Sequence, residues 1–132
     1  MSPDNCVVLL RHGTTLRRAR AIEAHGPDPT FREPGGGHQP PAEGFSLCYA
    51  DGRASYTGTP EAAARNKDAL FPQEGGPAVL EIAVPQRIME ILYADPIGAG
   101  LARGGEVRFE PESGLNELRA AWGDLTKRVA HT

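Results

Sequence analysis

The chain leads with a continuous apolar, β-branched run, Cys6-Val7-Val8-Leu9-Leu10, and leaves it through Arg11-His12-Gly13-Thr14-Thr15. A short run of this kind, bounded by polar residues, predicts a buried strand. Thr14 or Thr15 then caps a helix over 16–25, with Leu16, Ala19 and Ile22 on one stripe. Gly26 and Pro27 supply the stop, and Arg17, Arg18 and Arg20 read as the solvated face. Whatever the chain folds into must therefore be built from short elements joined by tight hand-overs.

The later segments keep to that scale. Gly44 to Tyr49 reads as a second strand. Thr59 and Pro60 open a helix running to Leu70, with the cap and the first-turn proline in the favoured order. Arg65 and Lys67 read as solvated. Ala78 to Val84 alternates as a strand, and Pro85 starts a short helix carrying Ile88, Met89, Ile91 and Leu92. Asp95 to Gly105 is glycine-rich and reads as a loop. Glu106 to Glu110 alternates, with Val107 and Phe109 on one face and Glu106, Arg108 and Glu110 on the other. Ser113 caps a helix holding Leu115, Leu118 and Trp122, whose spacing marks them as core. A last strand follows over 125–129. Residues 27–43, with Gly35-Gly36-Gly37, form a long loop of the kind that is usually functional. About four or five short strands with small helices between them predict a small α+β domain.

Composition narrows the class. At 132 residues there is room for one domain. Gly 16 and Pro 12 together stay below the roughly 25–30% that marks disorder. A net charge of −3, from 14 basic and 17 acidic residues, does not indicate a nucleic-acid binder. No apolar run nears the roughly 18 residues of a membrane span. The first residues carry no basic, apolar leader, which points to the cytoplasm. Cys6 and Cys48 read as small buried thiols, since two cysteines make no disulfide framework. No metal-ligand spacing is present.

His12 is the residue most able to carry chemistry. A histidine at the end of a buried strand, before a glycine and a helix cap, is either poised for a ligand or a satisfied strand-end side chain. The glycine would let a ligand approach the backbone, and the first turn of the next helix would offer N–H groups to an anion or a carbonyl. His25, His38 and His131 read as incidental.

Two families share a motif here. Leu9-Leu10-Arg11-His12-Gly13-Thr14, followed by Ala19, Ile22 and Gly26, resembles the opening of the ADP-ribosyltransferase fold. Further resemblances follow in order. Glu43-Gly44-Phe45-Ser46-Leu47 looks like that fold's second strand, and Thr57-Gly58-Thr59-Pro60-Glu61-Ala62-Ala63-Ala64 like the helix after it. Ala78 to Val84 looks like the central strand. Gly105-Glu106-Val107-Arg108-Phe109 is similar to the late strand that opens with the catalytic glutamate. The resemblance implies a small split β-sheet domain that uses NAD as substrate. It would transfer ADP-ribose to a protein or small molecule, or hydrolyse NAD. His12 would bind a ribose hydroxyl and Glu106 the nicotinamide ribose, stabilising the oxocarbenium ion that forms as nicotinamide leaves. Gly13, Thr14, Ser46 and Tyr49 would complete the cofactor site. The family's stacking tyrosine is replaced by Ser46, so Tyr49 or Tyr56 would supply the aromatic face. The 27–43 loop would lie nearby as a lid. Glu106 reads alternatively as a solvated edge-strand carboxylate, with Glu110 its rival on the same face. Arg11-His12-Gly13-Thr14-Thr15 also resembles the Arg-His-Gly-x-Thr motif of the histidine phosphatases, which implies phosphoryl transfer through His12 on a doubly wound fold. A non-catalytic binding module on the ADP-ribosyltransferase fold is the third reading.

Overall fold

The computed structural model describes residues 6–28, 44–52 and 58–132. Along these, β1 (Val7–Thr15) runs directly into α1 (Leu16–His25). Then come β2 (Phe45–Tyr49), α2 (Pro60–Leu70), β3 (Pro77–Pro85), α3 (Gln86–Ala94) and α4 (Pro96–Arg103). The chain ends with β4 (Glu106–Phe109), α5 (Leu115–Ala121), a 3-10 turn at Trp122–Asp124 and β5 (Lys127–His131). Most of the 27–43 loop, and Tyr56, lie outside the described residues. No described helix is long and apolar enough to cross a membrane.

The strands make one five-stranded sheet in the order β4-β2-β1-β3-β5. Every pairing is antiparallel, so the chain builds the α+β class that its pattern predicts. β1 pairs with β3 along its whole length, from Val7↔Pro85 to Thr15↔Pro77. With β2 it pairs only at Leu10↔Tyr49 and Arg11↔Cys48. Beyond Arg11 that ladder stops, and β1-β3-β5 and β2-β4 separate. This split is the feature that positions the candidate site.

Residues directly opposite share a face and neighbours along a strand alternate. One face carries Leu10, His12, Thr14, Phe45, Leu47, Tyr49, Leu80, Ile82, Val84, Val107 and Phe109. The core forms on this face, where those apolar side chains meet Ala19, Ile88, Met89, Leu92, Leu115, Leu118 and Trp122. Trp122 Nε1 donates to the Glu23 carbonyl at 2.9 Å and ties the C-terminal turn to α1. The other face carries Leu9, Arg11, Gly13, Ser46, Cys48, Glu81, Glu106 and Arg108. Glu106, Cys48, Arg11, Glu81 and Arg128 form a row across all five strands. The helix α2 packs on this face: its Glu61 carboxylate meets the Arg11 guanidinium at 2.6 Å.

Caps fix the helix starts. Thr15 Oγ accepts from the Arg18 amide, and Thr59 Oγ from the Ala62 amide. Several expectations are corrected. β1 continues through Thr15, because β3 is long enough to pair with all of it; His12 therefore lies inside a strand and not beyond one. Residues 96–103 are helical despite Gly98 and Gly100. Asp95 caps the Gly98 amide at 2.8 Å, and Pro96 fills the first turn. Gly98 is there for space: a Cβ would stand 2.6 Å from the Leu92 carbonyl oxygen. Ser113 is buried and does not cap; α5 starts after Gly114, without a side-chain cap. The last strand is Lys127–His131. Cys6 is exposed, whereas Cys48 is buried.

Candidate functional site

His12 sits where β1 and β2 part. It is 8% exposed, and its Nδ1 lies 2.7 Å from the Ser46 carbonyl oxygen across the split. A carbonyl can only accept, so Nδ1 carries the proton, and in the neutral ring Nε2 is the acceptor nitrogen. The Phe45 ring lies beside the imidazole, with centroids 4.8 Å apart and planes tilted by 50°. Phe45 in turn meets Trp122 edge-on.

A cleft of about 310 Å³ opens at this place. It is lined by His12 of β1, by Arg18, Ala21, Ile22 and His25 of α1, by Gly26–Asp28 and by Gly44 and Phe45. The volume is at the low end of the roughly 300–1,000 Å³ of small-molecule sites. Arg18 belongs to the wall and not to a solvated face. Its Nε meets the Glu74 carboxylate at 2.8 Å, and its guanidinium stacks 4.0 Å from the Phe71 centroid. Burial pushes the Glu74 carboxyl up. The hydrogen bonds from Arg18 and from the Thr15 hydroxyl, with the charges of Arg18 and Arg17, outweigh this and hold it below the ordinary carboxylate range.

Glu106 opens β4 and is 1% exposed, so the solvated reading of this carboxylate is overturned. Arg108 donates to it at 3.4 Å and reaches Glu110 at 3.7 Å. By register Glu106 shares its face with Cys48 and Arg11, and His12 belongs to the other face. β2 links the two: His12 holds the Ser46 backbone, and Ser46 lies opposite Arg108. The Ser46 hydroxyl belongs to the Glu106 face, and only its carbonyl meets His12.

Four expectations about the site change. The close approach at Gly13 is made by α2: a Cβ there would stand 1.8 Å from the Pro60 carbonyl oxygen. The first-turn N–H groups of α1 are already bonded, Leu16 to Gly76 O, Arg17 to Glu74 O and Arg18 to the Thr15 hydroxyl, so they offer no anion site. Tyr49 is a core residue whose hydroxyl lies 2.8 Å from that of Tyr93, because alternation turns it inward with Leu47. Thr14 is fully buried opposite Ala78 on the same inward face. The aromatic wall next to His12 is Phe45. Its odd-numbered alternation with Leu47 and Tyr49 was the signal for it, once β2 was known to lie beside β1.

No family profile, curated protein or solved structure matches the chain. The residues therefore have to carry the functional argument by themselves. The doubly wound sheet implied by a histidine phosphatase is a parallel one, whereas all described strand–strand pairings here are antiparallel. No group of three or more His, Cys, Asp or Glu side chains among the described residues could hold a metal ion.

Proposed function

We propose that the chain binds NAD in the split between β1 and β2 and breaks its nicotinamide–ribose bond. The observation that carries this reading is the buried carboxylate of Glu106, held by Arg108 at the head of β4, two strands from a buried histidine whose tautomer is fixed by Ser46. Burying a carboxylate costs several kcal/mol unless it is paired, and perturbed or buried charges cluster at functional sites.

Each group has a task. His12 Nε2 accepts from a ribose hydroxyl and orients the sugar, and Phe45 offers an apolar wall to a planar ring. As the bond breaks, nicotinamide leaves with the electron pair and the ribose carbon becomes an oxocarbenium cation. The Glu106 carboxylate stabilises that cation. Water or an acceptor group then adds to the carbon and gives up its proton to solvent. His12 and Glu106 lie on different faces with β2 between them, so a ligand that meets both has to pass β2 at the Arg11–Cys48 end of the β1–β2 ladder, next to the His12–Ser46 contact that spans the split.

The test is nicotinamide release from NAD, measured on wild type, His12→Ala and Glu106→Gln. The expected pattern is loss of affinity in His12→Ala, and loss of turnover with binding kept in Glu106→Gln. Full release by Glu106→Gln would sink the chemistry. NAD binding without release by the wild type would leave a binding module on this fold.

A further inference from the structure

Lys67 is read from sequence as solvated, yet it is 4% exposed. Lysine is almost never buried without a fixed partner, and here Nζ donates to the Gly13 carbonyl at 2.7 Å. The two residues are 54 positions apart in sequence, so the contact is tertiary and spans α2 and β1. The same helix also covers Gly13 with the Pro60 carbonyl.

The position is specific. Gly13 follows His12, and its carbonyl, in the stretch of β1 past the end of the β1–β2 ladder, is the one that Lys67 reaches from α2. Nearby side chains of β1 are held by other groups. His12 is bonded to Ser46, and Thr15 to Glu74. The carbonyl of Gly13 also sets the direction of the next peptide, into Thr14.

We infer that Lys67 is a positioning residue that locks the Gly13–Thr14 peptide and thereby holds His12 in the geometry its ligand requires. The inference rests on the NAD reading for its ligand, but the lock itself is a property of the fold. A lysine that only filled space would be replaceable by methionine, which matches its length and removes the donor. A lock would not be.

The experiment compares wild type, Lys67→Met and Lys67→Arg. Two quantities are measured: NAD affinity by calorimetry, and amide hydrogen exchange at His12, Gly13 and Thr14 by NMR. Lys67→Met should weaken NAD binding about tenfold, the loss of one buried hydrogen bond's worth of free energy. It should also speed exchange at Gly13 and Thr14 relative to the other β1 amides. Lys67→Arg, which keeps a donor, should recover part of both. If Lys67→Met fails to fold, Lys67→Gln is read in the same way. Exchange that rises uniformly along β1 would reduce Lys67 to a stability residue and overturn the proposal. Unchanged exchange at Gly13 and Thr14 would overturn it too. If wild type binds no NAD, the NAD reading falls, and the lock stands or falls on the exchange data alone.

Discussion

Replacing Gly13 by alanine tests the packing of the site more sharply than any other single change. The added Cβ would sit 1.8 Å from the Pro60 carbonyl oxygen, where ordinary contact begins at 3.4 Å. The obstacle is backbone, so no rotamer change can relieve it. α2 has to retreat from β1 by about 1.6 Å or tilt. Overpacking of this kind costs about 1–3 kcal/mol. The retreat also stretches the buried Lys67–Gly13 hydrogen bond, and leaving such groups unsatisfied costs a further 1–3 kcal/mol or so. Together they predict a loss of about 2–6 kcal/mol, a large part of the roughly 5–15 kcal/mol that holds a domain of this size. Thermal melting should fall by about 10–15 °C, and urea denaturation should give the same loss from the midpoint. The double variant with Lys67→Met should be markedly less destabilised than the two single losses added, because both act on Gly13. A loss below about 1 kcal/mol would refute the seating of α2 on β1 and the reason given for this glycine.

Three further outcomes follow. The Glu74 carboxyl titrates below its ordinary 4.5 in the folded chain. The stability it contributes is therefore complete above that value and is lost as pH falls through the folded one. Glu74→Gln should flatten the fall in melting temperature on acidification, and a curve as steep as wild type would remove Glu74 from that role. Gly98→Ala should cost about 1–3 kcal/mol, because its Cβ would strike the Leu92 carbonyl at 2.6 Å. Gly100→Ala, whose Cβ would meet only the Arg103 side chain at 3.6 Å, should be neutral or stabilising by up to about 1 kcal/mol. Equal effects at the two positions would contradict the helix assigned to 96–103.

What the sequence makes legible is local. α1 and α2 can be read with their caps, because Thr15, Thr59 and Pro60 act within one turn of themselves. The alternation of Glu106 to Phe109 likewise assigns its two faces in advance. Tertiary facts are not legible in this way. The burial of Lys67, the inclusion of Arg18 in a cleft wall and the inward turn of Tyr49 all depend on which strand lies beside which. The glycine-rich stretch over 96–103 hides a helix because Gly98 is selected by contact with α3, which local propensity does not register. His12 is singled out by its motif, but its true surroundings, Ser46 and Phe45, come from a strand more than thirty residues away. Glu106 is correctly placed on a charged face, and only the structure shows that face to be buried at this point.

The central claim is that one ligand occupies the split. The direct measurement is an NMR titration of labelled protein with NAD, following the backbone amides of β1, β2 and β4. Saturable shifts are expected at His12, Gly13, Phe45, Ser46 and Glu106, all with one dissociation constant and all lost in His12→Ala. Shifts confined to the α1 side of the cleft, with Glu106 unmoved, or no shifts at all, would contradict it.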